Sequence, residues 1–440
     1  MDAEPLDKSS LSTPLIVDER QYHEPGSKIK VVEEDLESNN SHPQSKATTS
    51  TLKTCFNGLN ALSGVGILSV PYALATGGWS SLALLFLIAA SAFYTGLLIK
   101  RCMDMDSSIR TYPDIGERAF GQKGKLLMSV FMNIELYLVA TGFLILEGDN
   151  LHNMFPMGFE VEGLKIGGKE CFIVIVGLIV LPTVWLDNLS LLSYVSASGV
   201  FASAVILGSI LWTGAFDGVG FHQKGSPIKW SGIPTAISLY AFCYCAHPVF
   251  PTLYTSMKHK KQFSNVLLIC FILCTICYAS MAVFGYLMFG STVQSQITLN
   301  LPTNKVSSQV AIYTTLVNPI SKFALMVTPI MVAVKRRFPH YQNKRFFNIL
   351  VSTTLVISCV IVALAVPFFA YLMALVGAFL SVTASIIMPC LCYLKISGTY
   401  RRIGCEMLII WGIILLGAAV VILGTYTSLE EIIGHLLEHF

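Results

Sequence analysis

Residues 62–72 read LSGVGILSVPY and lie in the middle of an apolar segment that extends from residue 51 to residue 78. Gly64, Gly66 and Pro71 stand where a membrane-spanning helix should be continuous. A helix that is interrupted at membrane depth leaves backbone N–H and C=O groups without partners. Hydrocarbon tolerates such groups only where protein or a water-filled cavity covers them. The interruption is therefore a candidate binding site.

A second interruption, FCYCAHP at residues 242–248, lies inside the apolar segment 232–257. Neither Pro248 nor Pro251 can donate a helix hydrogen bond, so the helix is weakened at two neighbouring points. The two interrupted segments are five spans apart. Interrupted segments in corresponding positions of two halves are typical of secondary transporters with inverted repeats, in which substrate binds between the halves.

The composition excludes an ordinary soluble protein. Of 440 residues, 54% are hydrophobic and only 12% are charged. Crossing about 30 Å of hydrocarbon takes about 20 apolar residues. Eleven segments meet this requirement, namely 51–77, 79–103, 125–148, 170–187, 190–215, 233–257, 263–289, 309–335, 347–367, 369–394 and 404–427. The sequence predicts an all-α integral membrane protein with eleven transmembrane helices, of which helices 1 and 6 are broken.

The charged residues indicate the orientation. Residues 1–50 carry five basic and ten acidic residues without apolar periodicity, which predicts a disordered acidic cytosolic tail. With that tail in the cytosol, seventeen lysines and arginines fall in cytosolic loops and five in the opposite loops, as the positive-inside rule requires. Residues 428–440 then form a short amphipathic tail on the lumenal or exterior face.

The first interruption offers backbone groups that suit an amino acid. Free N–H groups at the start of one half-helix suit a carboxylate, and free C=O groups at the end of the other suit an ammonium. Glycine lets a ligand approach the backbone closely, and Gly66→Trp is expected to abolish uptake without preventing folding. The alternative is a notch of small residues for helix packing. The residues predicted to contact substrate are Ser63, Gly64, Val65, Gly66 and Ile67.

The second interruption contributes further candidates to the substrate site. Cys243 and His247 are predicted to meet the substrate from the sixth segment. His247 could bind substrate or relay a proton, or it could be only a hydrogen-bonded structural residue. The aromatic side chains of Phe242 and Tyr244 are predicted to gate or line the pocket, with packing as the alternative.

Two charged residues, Lys322 and Glu135, lie deep in apolar segments. A charge at such depth costs roughly 2.5–3.5 kcal/mol on insertion scales, so Lys322 should face the bundle interior and have a partner. Lys322 could replace a metal ion with an ammonium whose protonation changes during transport. Alternatively, it pairs with Glu135 or with carbonyls of a broken helix. Glu135 is a candidate proton site, and Tyr137 beside it is assigned to the substrate site. Glu147, near the far end of the same segment, is expected to contact water.

Nothing in the sequence indicates an enzyme. It has no P-loop, no His-Glu-x-x-His metal motif and no convincing catalytic cluster. Most of the twelve cysteines lie in or beside apolar segments and are interpreted as small apolar residues. We therefore expect no cofactor, no metal site and no nucleic-acid partner. The expected partners are amino acids, protons and the lipid bilayer, and the expected oligomeric state is a monomer.

Several of these stretches resemble the amino acid/auxin permease family, and within it most closely the plant vacuolar branch, which is related to the vesicular inhibitory amino acid transporters. The matching stretches are residues 57–60, 64–73, 112–121, 135–137, 243–248 and 318–322. The resemblance implies a five-plus-five inverted-repeat fold in a transporter domain over 51–427. The first repeat would be about 51–215, the second about 233–394, and helix 11, about 404–427, would be peripheral. It also implies an amino acid substrate, proton coupling and often an acidic internal compartment.

The function that follows is secondary active transport of amino acids across an internal membrane, with the vacuolar membrane favoured over the plasma membrane or another endomembrane. The proton gradient would drive it by alternating access. A sodium-coupled amino acid symporter is one alternative, against which Lys322 argues, because an ammonium and a sodium ion would compete for one site. A membrane sensor that binds amino acids and transports little is the other alternative.

Overall fold

The computed structural model describes residues 49–156, 159–161, 164–185, 189–338, 340, 345–401 and 404–439. The predicted acidic tail, apart from its last two residues, lies outside the described residues. The described part of the chain forms eleven spans, numbered here in chain order.

Three spans are built from more than one helical piece. Span 1 consists of α1 (Thr51–Leu62) and α2 (Val70–Gly77), and span 6 of α7 (Ile233–Cys243) and α8 (Phe250–Ser256). Span 10 consists of α12 (Phe369–Leu375), two π-helical stretches (Val376–Ser381 and Thr383–Ile387) and α13 (Met388–Ser397). The other spans each contain one helix: α3 (Leu82–Met105), α4 (Tyr112–Met154), α5 (Gly168–Trp185), α6 (Leu189–Phe216), α9 (Phe263–Phe289), α10 (Val306–Arg337), α11 (Arg345–Ala365) and α14 (Cys405–His439).

The predicted number of spans and both predicted breaks are confirmed. Ten helical segments among the described residues are long and apolar enough to cross a membrane. Span 1 is the eleventh, although its halves of 12 and 8 residues are each too short to cross alone. In spans 6 and 10, 72% and 67% of the apolar stretch is buried inside the protein, compared with 22% in spans 9 and 11. Spans 6 and 10 therefore lie at the centre of the bundle and spans 9 and 11 at its periphery.

The helix α4 begins well before its predicted start because a short helix precedes the membrane segment. Thr111 and Asp114 form a capping box that starts the helix. The backbone then turns at Gly121, which has φ 67° and ψ −157°, a conformation that favours glycine. The turn brings Gly116 against Gly124 so closely that a Cβ on Gly116 would lie 2.6 Å from the carbonyl oxygen of Gly124.

Two features lie outside the bundle core. Between α4 and α5, strand β1 (Phe159–Val161) pairs antiparallel with β2 (Leu164–Ile166). The helix α14 continues without interruption to His439, so the residues expected to form a separate tail prolong span 11 instead. The reason is that its packed face continues, since Ser428 and Ile432, four residues apart, are both buried.

The packing of the helices brings the two interruptions together. Both halves of span 1 pack on α9, and α2 also packs on α7 of span 6. The helices α6 and α4 pack on α10, and α1 packs on α6. The interruption of span 1 is thus surrounded by spans 5, 6 and 7.

Candidate functional site

The first interruption contains two backbone amides that have no hydrogen-bond partner among the described residues. After Leu62 the backbone is non-helical at Ser63 (φ −78°, ψ 77°) and extended at Gly64 (φ −97°, ψ −172°), and a 3-10 turn over Val65–Leu68 then leads into α2. Within the described part of the chain, no backbone or side-chain group accepts a hydrogen bond from the amides of Val65 and Gly66. They are the first donors of a helical turn, where an anion is favoured.

The two glycines of the interruption have different surroundings. A Cβ added to Gly64 would meet no atom within 4 Å, so this residue borders open space. A Cβ added to Gly66 would lie 2.8 Å from Sγ of Cys243 and 3.4 Å from its Cα. Gly66 therefore permits close packing against span 6. This corrects the expectation that Gly66→Trp preserves folding, because there is no room for a larger residue at this position.

The second interruption lies directly against the first. The helix α7 ends at Cys243, and the chain resumes with a 3-10 turn, His247–Val249, before α8. The side chain of Phe242 lies between the spans, with Cδ1 3.5 Å from the position of a Cβ on Gly66 and its own Cβ 3.0 Å from that of a Cβ on Gly377 in span 10. Phe242 and Cys243 thus contact the first interruption, and their contact with substrate stays a prediction.

A tyrosine that the sequence did not single out joins the ends of the two half-helices. The hydroxyl of Tyr278, on α9, donates to the carbonyl of Leu62 at the end of α1, and it lies 3.3 Å from the carbonyl oxygen of Cys243 at the end of α7. Both carbonyls belong to helix ends that have lost their intrahelical partners. Tyr278 therefore stabilises the two interruptions at one point.

Lys322 is bound to the first interruption. Its side chain is buried, and Nζ donates to the carbonyl oxygen of Ser63 at 3.1 Å. The hydroxyls of Ser63 and Ser203, the latter on α6, are 2.7 Å apart. A Cβ on Gly199 would lie 2.0 Å from Oδ1 of Asn60 and 2.9 Å from Nζ of Lys322, so a larger residue there would displace both side chains. Of the two structural partners considered for Lys322, the structure places the broken-helix carbonyl at the ammonium.

Glu135 forms a separate polar group with span 10. Its side chain is buried and accepts a hydrogen bond of 2.6 Å from the hydroxyl of Ser381, in the first π-helical stretch. Cys245, in the second interruption, also contacts the carboxyl group. A π-helical stretch is frequently associated with a functional site. Here it brings span 10 to a carboxyl group on span 3 and to the break in span 6.

His247 lies on the side of span 6 that faces spans 2 and 10. Its Nε2 is 2.9 Å from the carbonyl oxygen of Ala92 and 2.9 Å from Oγ1 of Thr95. Because a carbonyl only accepts, Nε2 carries a proton and donates to Ala92. Thr95 in turn donates to the carbonyl of Ser385, at 2.8 Å. The contacts of His247 are therefore with α3 rather than with the first interruption.

Three other residues have surroundings that the sequence did not indicate. Tyr137 lies against Ser358 and Cys359 of the peripheral α11. The hydroxyl of Tyr244 is 2.9 Å from Oγ1 of Thr275, on α9. Glu147, which was expected to contact water, is only 1% exposed, and neither of its carboxylate oxygens has a hydrogen-bond partner among the described residues. Val65 and Ile67 are both buried.

The geometry has the chemistry of a binding site. Unpaired amides, carbonyl ends of half-helices and a buried ammonium lie where the two broken spans meet, and a buried carboxyl group contacts the second break at Cys245. In the part of the chain that the structure describes, no group of three or more His, Cys, Asp or Glu residues is placed to hold a metal ion.

Comparisons with known proteins identify relatives of this chain. Residues 47–430 match the family model described as transmembrane amino acid transporter protein. The chain is 64% identical over 390 residues to amino acid transporter AVT1I of Arabidopsis thaliana, covering 88% of this chain and 96% of the relative. It is 60% identical over 431 residues to amino acid transporter AVT1J of the same plant, covering 97% and 99%.

Two solved structures share the fold. One is a manganese transporter of Eremococcus coleocola, with a TM-score of 0.50, 14% sequence identity and coverage of 86% of this chain and 95% of that one. The other is a Na⁺-coupled sialic acid symporter, with a TM-score of 0.50, 12% identity and coverage of 85% and 89%. The inverted-repeat transporter fold with broken spans 1 and 6 is thus confirmed.

Proposed function

The chain belongs to the transmembrane amino acid transporter family, and from this membership and the two interruptions we propose that it moves amino acids by alternating access, driven by a proton gradient, across the vacuolar membrane. The first repeat is about 51–215 and the second about 233–394, with α14 peripheral. The N-terminal tail is cytosolic, the C-terminus is lumenal, and the working unit is a monomer.

The unpaired amides of Val65 and Gly66 carry the proposal. They lie at the start of the 3-10 turn that leads into α2, beside the open space at Gly64. A substrate carboxylate would accept from both amides, and the positive end of the half-helix would favour its charge. The substrate ammonium would face the carbonyl end of α7, where Phe242 and Cys243 contact the interruption. An amino acid presents both charges on adjacent atoms, which matches this spacing.

Lys322 supports coupling to protons rather than to sodium. Its ammonium already bonds the carbonyl of Ser63, one of the unwound backbone oxygens that a sodium ion would need. A sodium ion beside the ammonium would be repelled at short range, and the buried setting would screen this little. Loss and return of a proton at Lys322 would change the strength of the hydrogen bond that joins the carbonyl of Ser63 to span 8.

Glu135 and His247 supply the other proton-binding groups. Glu135 joins spans 3, 6 and 10 through Ser381 and Cys245. His247 contacts spans 2 and 10 through Thr95, which bonds the carbonyl of Ser385. Ser381 and Ser385 are one helical turn apart on span 10. Protonation of Glu135 would change its hydrogen bond to Ser381 on span 10, and protonation of His247 at Nδ1 would place a charge beside Thr95, which bonds span 10. We therefore assign both groups to coupling, and His247 to this role rather than to direct substrate contact.

The test is flux in proteoliposomes with an imposed pH gradient, in which all twenty standard amino acids are scanned. Uptake that follows the gradient, needs no sodium and is lost on adding a protonophore is the expected result. Uptake that requires sodium and ignores the pH gradient would establish the sodium symporter instead. Measurable binding without flux of any amino acid would establish a sensor.

A further inference from the structure

A cavity of about 360 Å³ opens at the distal face of the protein, defined as the face where α2 ends and α3 begins. It lies between α2, the residues before α7, α12 and the end of α14. Ligand pockets run from about 300 to 1,000 Å³, so this cavity has the size for a small molecule. The residues that line the cavity include Tyr72, Thr76, Lys229, Ser231, Tyr371 and Glu431.

Lys229 is fixed at one side of the cavity. Its Nζ donates to the carbonyl oxygen of Ala75 at 2.9 Å, and its backbone amide donates to the carbonyl of Gly77 at 3.0 Å. The neighbouring Pro227 accepts a backbone hydrogen bond of 2.9 Å from Ser80. An ammonium has three donors, and the bond to Ala75 uses one of them. The protein therefore holds the Lys229 ammonium in place, and the bond to Ala75 leaves its other N–H groups available to a ligand.

Glu431, in the last turns of α14, also lines the cavity, and its side chain is 48% exposed. Four residues further along this helix, Nε2 of His435 lies 3.2 Å from the hydroxyl of Tyr371, and the two rings stack with centroids 5.1 Å apart. This contact docks the last turns of α14 on α12. The carboxylate of Glu431 lies 3.9 Å from Nε2 of His435 and lines the cavity.

Lys229 and Glu431 thus line one cavity with opposite charges. Among the described residues they do not pair with each other, and Glu431 instead has the 3.9 Å contact with His435. The cavity that both residues line suits a ligand that carries both complementary charges. From this geometry we infer a second amino acid site, in which Lys229 binds the carboxylate and Glu431 the ammonium of a free α-amino acid. The hydroxyls of Ser231 and Thr76 lie at the same cavity and are available as further polar contacts.

The distal cavity is connected to the first interruption by α2, which follows the interruption and lines the cavity. Tyr72 precedes Thr76 along α2 on the side of the interruption, and its side chain lies near that of Tyr371 in the lining of the cavity. Tyr72 thus belongs both to the cavity lining and to the half-helix that follows the first interruption. The inference rests on the proposed transport of amino acids. It gives the transporter a second binding position for its substrate, at the distal face.

Equilibrium binding in lipid nanodiscs tests the inference, with each of the twenty standard amino acids as a labelled probe. Gly64→Leu fills the open space at the first interruption and leaves only the distal cavity. We expect this variant to retain one bound amino acid per chain. Adding Lys229→Met or Glu431→Gln to it should weaken that binding at least tenfold. The matched controls are Lys224→Met and Glu430→Gln, exposed neighbours of the same charge that do not line the cavity.

The outcomes separate the two sites. If Gly64→Leu binds none of the twenty amino acids, or if its binding is unchanged by Lys229→Met and Glu431→Gln, the distal site is refuted and the central site can still stand. If Gly64→Leu leaves both binding and flux intact while the two charge variants abolish binding, the distal site stands and the central assignment fails.

Discussion

Gly64 and Gly66 are two residues apart, and the structure predicts opposite consequences for substituting them. At Gly64 an added side chain enters open space, and φ −97° with ψ −172° is accessible to any residue. Gly64→Leu should therefore leave stability nearly unchanged. It should reduce uptake more than tenfold, because the side chain occupies the place of the substrate. A tenfold loss corresponds to about 1.4 kcal/mol of binding free energy.

At Gly66 the new Cβ of Gly66→Ala would approach Sγ of Cys243 to 2.8 Å, where ordinary heavy-atom contacts lie at about 3.5–4.0 Å. Overpacking of a core typically costs about 1–3 kcal/mol. Alanine gains about 0.5–1 kcal/mol over glycine in a helical backbone, which offsets only part of this cost. We expect a lower apparent melting temperature for Gly66→Ala. The double variant Gly66→Ala/Cys243→Ala should recover most of the lost melting temperature, because removing Sγ of Cys243 makes room for the new Cβ.

The assay is thermal unfolding of the purified protein, followed by size-exclusion chromatography, together with uptake in proteoliposomes. Gly412→Leu is the matched control, since Gly412 also borders open space but lies on the peripheral α14. It should change neither stability nor uptake. Full uptake by Gly64→Leu, or unchanged stability of Gly66→Ala, would refute the distinction between the two glycines.

Three further predictions concern the polar contacts. Lys322→Met removes the ammonium from the carbonyl of Ser63; it should abolish uptake driven by a pH gradient while amino acid exchange without a gradient persists, and gradient-driven uptake by this variant would contradict the coupling role. Tyr278→Phe removes the donor to the carbonyl of Leu62; it should cost about 0.5–1.5 kcal/mol, measured as a lower melting temperature, and an unchanged melting temperature would show that the bond contributes nothing. Ser381→Ala removes the hydrogen bond to Glu135; it should shift the pH profile of uptake whereas Ser381→Thr restores it, and identical profiles for all three proteins would exclude Glu135 from coupling.

The sequence predicted the spans and the breaks because both depend on local composition. A long apolar run is sufficient to identify a span, and glycine and proline within it are sufficient to place an interruption. The adjacency of spans 1 and 6 followed from the expected repeat. The confirmed break at Cys243 and its contact with Gly66 show that this reasoning extends to particular residues.

The remaining features depend on contacts between distant parts of the chain. Tyr278 lies 216 residues from its partner Leu62, and Ser381 lies 246 residues from Glu135. Nothing in the local pattern around either residue distinguishes it from other polar residues in apolar spans. For the same reason the sequence treated Gly64 and Gly66 alike and expected Glu147 to contact water. In each case the neighbouring helices, rather than the residue's own segment, determine its surroundings.

The most direct measurement is an experimental structure of the protein bound to the amino acid with the highest flux in proteoliposomes. The account predicts that the substrate carboxylate lies within about 2.7–3.2 Å of the amide nitrogens of Val65 and Gly66, the normal range for such hydrogen bonds. A substrate bound elsewhere, with both amides bonded to protein groups, would contradict it.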